Sequence, residues 1–325
     1  MATIEVVKGG IESAVQDFPG RLGYWSIGIP PSGPMDSFAF RLANRLVGNE
    51  VGEAALEVAA GMAAFKFLKD TCLAITGADM QPTVNSSSVP MWENVLVKSK
   101  DVLELRTLRG SGFRTYIALA GGIDVPVYLG SRSTFAAGGF GGFNGRALKA
   151  GDVLETFNPS TPISQLTGRT LKSPIPAYTS ELQIEVMEGP HSAPDFFTED
   201  DMKSFFSEPF KVDLNSNRLG YRLAARKWTW ARPDGGIAGK HPSNILDNGY
   251  SVGAVNVSGD QPIILTVDGP SLGGFVCCAC VISASLWKIG QARPGRDNLR
   301  FKKVSMDEAT DKRKSLERSL IEAVD

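Results

Sequence analysis

Residues 16–36, QDFPGRLGYWSIGIPPSGPMD, are short of charge and dense in glycine and proline. Pro19, Pro30, Pro31 and Pro34 each remove a backbone donor and restrict the residue before them, and four glycines open positive φ, so no helix runs through here. A flexible linker would carry Ser, Lys and Glu. This stretch carries Phe18, Tyr24, Trp25, Ile27, Ile29 and Met35 instead, which predicts an ordered loop packed on a core, the kind of place where binding residues concentrate. Upstream, residues 2–8 alternate as a strand does. Downstream, residues 38–46 carry apolar side chains at helical spacing, with Asp36 placed to cap the first turn.

Further along, residues 72–75, 95–97, 102–105 and 116–120 read as short strands broken by polar or glycine-containing turns. No run of alternating strands and helices occurs, so a doubly wound nucleotide-binding sheet is disfavoured. Residues 158–178, rich in Pro, Ser and Thr, separate two blocks of β-like sequence. After them residues 182–187 start a new strand, and residues 195–206 read as a helix begun by Pro194 and Asp195. GRALKAGDVLETF at 145–157 and GQARPGRDNLRF at 290–301 each join a glycine-rich, basic turn to a closing apolar strand, which suggests two related barrels. The expected fold is mainly β with short helices. The expected division is one domain over 1–175, a second over 176–304, and a charged terminal helix or linker over 305–325.

A chain of 325 residues with 42% hydrophobic and 21% charged residues has the composition of a soluble globular protein with room for two cores. A formal net charge of -1 gives no electrostatic reason to expect nucleic acid or an anionic membrane as a partner. No apolar run is long enough to span a bilayer and the N-terminus reads as a strand, so a cytoplasmic location is expected. Cys277, Cys278 and Cys280 lack the paired spacing of a zinc site. With only His191 and His241 to add, buried thiols are expected and no metal.

Several strings resemble one known family. VKGGIESAVQD at the start, GRLGYWSIGIPPSGPMD, ANRLVGN, EAALEV, ITGAD, YIALAGGIDVPVYLGSRST, GRALKAGD, SNRLGYRL, HPSN, GDQPIIL and DGPSLGGFVC run almost from end to end. They are similar to the allophanate hydrolase subunit 2 family, the A and B subdomains of the carboxyltransferase of urea carboxylase within urea amidolyase, to which one of the 5-oxoprolinase subunits is related. The resemblance implies two cyclophilin-like β-barrel domains. It implies transfer of a carboxyl group from N-carboxybiotin to urea, giving allophanate, with biotin presented on a separate carrier domain and none tightly bound. It also implies partners: the C/D half of the carboxyltransferase, without which the chain is expected to be inactive, the biotin carrier and the biotin carboxylase. The alternatives are a subunit of an ATP-dependent 5-oxoprolinase and a non-catalytic regulatory module.

Such a transfer needs groups that hold a carboxylate, stabilise negative charge on a ureido oxygen and exclude water. GGIAGKHPSN at 235–244 carries the preferred set. Lys240 supplies a point charge, His241 a proton relay or a loop anchor through a backbone carbonyl, and Ser243 and Asn244 hydrogen bonds. Tyr116 is a third catalytic candidate or a core residue. Ser131 and Arg132 in GSRST combine hydroxyl and guanidinium for a carboxylate, or cap a loop. Asn217 and Arg218 can hold an anion or pin a turn, and Asp268 can orient an amide N–H or start one. GGFGGFNGR at 138–146 is either a close-approach loop or a tight turn. No nucleophile elbow or Cys-His pair is evident, which argues against an allophanate-cleaving hydrolase.

Overall fold

The computed structural model describes residues 2–166, 168–172 and 175–324. Thr167, Ser173 and Pro174, within the Pro- and Ser-rich boundary segment, lie outside the described residues. The chain divides into two compact units. The first comprises Met1–Leu22, Ser32–Tyr178 and Glu317–Asp325, and the second Gly23–Pro31 and Thr179–Leu316.

The first unit holds a seven-stranded and a five-stranded sheet among the described residues. Strand Ala2–Gly9 pairs with Ala63–Phe67 on one side and Val153–Thr156 on the other. Its alternation sends Ile4 and Val6 inward, where they join Phe65, Phe67 and Leu103 of the same sheet. Facing them are Val15, Leu56, Val58, Leu73, Ile75, Ile117 and Leu119 of the other sheet, all fully buried. Period-2 patterning therefore gives each sheet one apolar face, and the two faces share one core. Every strand expected from the sequence is present. Closure is not: each hydrogen-bonded order runs from one end strand to another, and no closed barrel forms among the described residues.

The loop that opened the sequence is tied down at both ends. Gln16 Oε1 accepts from Gly33 N at 3.2 Å, and Asp17 accepts from the Ser131 and Ser133 hydroxyls at 2.5 Å each and from Arg132 N at 2.6 Å. At the far end Glu57 Oε2 accepts from Met35 N at 2.8 Å, and Tyr116 Oη accepts from Asp36 N at 2.7 Å. The helix α1, Ser37–Leu46, then starts on Asp36, whose carboxylate accepts from Ala39 N at 2.9 Å. Its apolar face lies on strands Thr71–Gly77 and Arg114–Leu119, with Phe40 edge-on to Tyr116 at 5.9 Å. Asp36→Ala is expected to cost about 1 kcal/mol through loss of this cap. A shift in thermal melting checks it, and turnover of the folded protein should be unchanged.

The glycine-rich loop at 138–146 belongs to this unit and is a tight turn. A Cβ at Gly141 would stand 2.1 Å from Ser133 O, and one at Gly145 2.1 Å from Gly139 O. The space beside these glycines is filled by the chain itself.

The second unit is built on an eight-stranded sheet. Strand Leu272–Val281 pairs with Ala254–Ser258, Glu181–Glu188 and Asn244–Gly249. Strand Glu181–Glu188 also pairs in parallel with Asn298–Lys303. The helix α2, Glu199–Ser207, begins later than Pro194 and Asp195 suggest, because Thr198 and Asp201 form a capping box. Phe205 on its inner face stacks on Phe301 at 4.5 Å. Two further helices are α3, Leu286–Gln291, and α4, Met306–Glu322, of which the part up to Leu316 belongs to this unit. Cys277 and Cys278 are buried here, as Cys72 is in the first unit. No group of His, Cys, Asp and Glu able to hold a metal ion occurs among the described residues.

Candidate functional site

In the second unit the carboxylate of Asp201 does double work. It caps α2 and also accepts from Thr229 N at 2.9 Å and Trp230 N at 3.0 Å. Burial alone would raise its pKa, but these N–H donors together with the hydroxyl and N–H of Thr198 outweigh burial and lower it. A charged, fixed Asp201 thus sets where the segment 229–244 leaves the helix. Trp230 packs on Phe197 at 4.6 Å between ring centroids and meets the His241 ring edge-on at 5.7 Å.

Arg232 closes the segment on itself. Its guanidinium lies over the Phe196 ring at 4.5 Å and donates to Pro242 O, from Nε at 2.9 Å, and to Asn244 O at 2.6 Å. Gly235 is required beside it: a Cβ there would come within 2.9 Å of the carbonyl oxygens of both His241 and Asn244. With its turn held this way, the segment presents Lys240 at the surface and His241 half-buried.

Both histidines of the chain are in this neighbourhood, and both are held alike. Nδ1 of His241 accepts from Ser243 N at 3.1 Å, and Nδ1 of His191 accepts from Cys277 N at 3.1 Å. A backbone N–H can only donate, so each Nδ1 is without a proton and each neutral ring carries its proton on Nε2. Burial first, then the charge of Arg232, lowers the pKa of His191 and keeps it neutral. His191 stands edge-on to Phe196, the ring that Arg232 covers, at 4.8 Å. Ser243, fully buried, accepts from Gly259 N at 3.0 Å and receives Val276 N on its carbonyl at 2.9 Å, which binds the loop to strand Leu272–Val281. The arrangement offers N–H donors at Nε2 and an ammonium at Lys240, a donor set suited to an anion or to an oxygen gaining negative charge.

The structure brings Lys240, His241, Ser243 and Asn244 together on this segment. His241 anchors the loop with the opposite polarity to that expected, accepting a backbone N–H where the sequence suggests donation to a carbonyl. Elsewhere in the same unit Arg218 and Asp268 pair with each other, Nε to Oδ2 at 2.8 Å, both nearly buried. Asn217 Oδ1 accepts from Leu219 N at 2.9 Å, so these three side chains fix the turns at Gly220 and Gly269. Ser131, Arg132 and Tyr116 belong to the first unit. Ser131 donates to Asp17, while Arg132 lies over Phe157 at 4.9 Å and donates to Val125 O. Tyr116 is wholly buried and donates to Glu57 Oε2 at 2.8 Å. Burial, then the carboxylates of Glu57 and Asp36, push its phenol well above the usual range, so it stays protonated. Sequence reasoning missed His191, Phe196, Trp230 and Arg232. The one signal available was the aromatic and basic string KWTWAR just before GGIAGKHPSN.

The family model for the carboxyltransferase domain, subdomain A and B, matches residues 27–303. The chain belongs to this carboxyltransferase family. It is 48% identical over 310 residues to a urea amidolyase of Saccharomyces cerevisiae, a match that covers 94% of this chain and 17% of that protein. The solved structure of the Kluyveromyces lactis urea carboxylase superposes with a TM-score of 0.90 at 44% identity, over 98% of this chain and 29% of that one. A 5-oxoprolinase subunit of Escherichia coli is 31% identical over 318 residues, covering 97% of this chain and 96% of its own length. This family member thus spans a small part of its urea amidolyase relatives and nearly all of the bacterial subunit. Among its described residues no helix is long and apolar enough to cross a membrane.

Proposed function

We propose that this chain is the A and B part of a biotin-dependent carboxyltransferase that moves the carboxyl group of N-carboxybiotin to urea, giving allophanate. The observation that carries the choice of acceptor is the 48% identity to a urea amidolyase, against 31% to a 5-oxoprolinase subunit. Carboxybiotin supplies an activated carboxyl group that a urea nitrogen can take in exchange for a proton. The segment 235–244 contributes the polar side of that exchange: Lys240 holds the carboxylate by charge, and the Nε2–H of His241 donates to an oxygen as it becomes negative. Arg232, Ser243 and Gly259 hold the loop so that these donors need little rearrangement. The C/D half of the carboxyltransferase, the biotin carrier and the biotin carboxylase complete the reaction as partners.

The acceptor is tested by supplying carboxybiotin to the complete protein that contains this segment. Urea should accelerate carboxyl loss by at least about tenfold and allophanate should accumulate, while 5-oxoproline has no effect. Acceleration by 5-oxoproline alone would replace urea as the acceptor.

A further inference from the structure

Strand Leu272–Val281 carries a bulge where it pairs with Ala254–Ser258. Ala254 stands opposite Cys280, Val255 opposite Ala279 and Asn256 opposite Cys277, so Cys278 is the extra residue. Residues three apart on a regular strand face opposite ways, whereas Cys277 and Cys280 oppose two residues that are two apart and share a face. Two strand steps come to about 6.7 Å, inside the roughly 4.4–6.8 Å between Cα atoms that a disulfide spans. The two sulfurs stand 3.7 Å apart with both thiols free.

The pair is unequal in access. Cys280 lies on an interior strand, its backbone flanked by Ala254 on one side and Met187 on the other, so the surface this half-buried residue shows to solvent is its side chain. Ser251, whose hydroxyl bonds to the same sulfur, is exposed. Cys277 is 2% exposed and packs with Tyr250, Ala254 and Leu265. The pair is unequal in charge too. The Cys277 thiol, donating to the Cys280 sulfur, holds the Cys280 thiol below the usual range; burial opposes this and the Ser251 hydroxyl adds to it. The same bond, then burial, pushes the Cys277 thiol up. Cys72 and Cys278 are fully buried, and burial raises both.

We propose that Cys277 and Cys280 form a reversible modification site, oxidised to a disulfide by low-molecular-weight disulfides. The Cys280 thiolate attacks one sulfur of the small disulfide and expels the other half as a thiolate. Cys280 is then a mixed disulfide, without the charge that held the Cys277 proton. Cys277 passes that proton to the expelled thiolate, attacks the Cys280 sulfur and expels the second half. Two protein thiols become one disulfide, and the small disulfide is reduced to two thiols. The bond forms on the residue whose N–H is held by His191 Nδ1. This goes beyond the transferase reading, and neither depends on the other. The test incubates the complete protein that contains this chain, reduced and then freed of reductant, with hydroxyethyl disulfide, alkylates the remaining thiols and maps the peptides by mass spectrometry. A Cys277–Cys280 link, two hydrogens lighter and reversed by dithiothreitol, should form at least about tenfold faster than any adduct on Cys72 or Cys278. Cys277→Ser should stop at the mixed disulfide on Cys280, and Cys280→Ser should slow oxidation of Cys277 at least about tenfold. Should either variant fail to fold, the map of the unsubstituted protein decides alone. No link, a link that uses Cys278, equal rates at Cys72, or undiminished oxidation of Cys277 in Cys280→Ser would each overturn the proposal.

Discussion

Glu57→Ala is expected to lower the stability of the folded chain by about 3–5 kcal/mol, out of about 5–15 for a typical domain. Glu57 is 5% exposed, and three groups converge on it. Met35 N and Tyr116 Oη donate to Oε2, both at 2.8 Å, and Arg114, itself 2% exposed, approaches Oε1 at 3.4 Å. Alanine removes the carboxylate that faces the buried Arg114 guanidinium and frees the end of the loop at 16–36, so the cost includes a lost buried charge pairing as well as lost hydrogen bonds. Glu57→Gln keeps one acceptor oxygen and should lose less. Tyr116→Phe leaves Asp36 N without its acceptor and should cost about 1–3 kcal/mol. The guanidinium chloride midpoint measures all three. A loss below about 1 kcal/mol for Glu57→Ala would mean that the loop is held by something other than this network.

The same network shows what a sequence conveys about such a fold. The sequence expectation for the loop at 16–36 is met at its ends, which are tied to the first unit, but not by all six large apolar residues, since of these only Met35 is buried and Ile27 is 69% exposed. The cap at Asp36 was legible, a local effect between residues three apart. The partners Glu57 and Tyr116 were not, since they meet the loop only once Ala55–Ala59 and Arg114–Leu119 pair as neighbouring strands. Closure is hidden for a related reason. Alternation reveals that a strand has an inner face, and an open pair of sheets and a barrel ask for the same alternation. The start of α2 was missed by a few residues because Pro194 and Asp195 are plausible openers, whereas the reciprocal Thr198–Asp201 pair decides it. At the candidate site the local string GGIAGKHPSN was readable. His191 was not, since its bond to Cys277 N spans 86 residues of sequence.

Lys240→Ala and His241→Asn, each made in the complete protein, are expected to slow urea-dependent carboxyl transfer by about 10²- to 10³-fold, while bicarbonate-dependent ATP cleavage continues. Asparagine is the informative replacement at 241, because His241 has two jobs. Its Nδ1 holds Ser243 N, and an asparagine carbonyl can still accept that N–H, so the loop should keep its shape and its melting temperature. What asparagine lacks is a donor where Nε2 stands. A loss of rate without loss of stability therefore separates donation to the reacting oxygen from support of the loop. Lys240 is exposed and holds no such structural bond among the described residues, so its removal should leave stability untouched. If both groups stabilise the same developing charge, the double variant should lose less than the product of the single losses, since either loss already spoils the shared interaction. Single variants within about twofold of the parent would remove the segment 235–244 from the reaction, and losses that multiply fully would assign the two residues to separate steps.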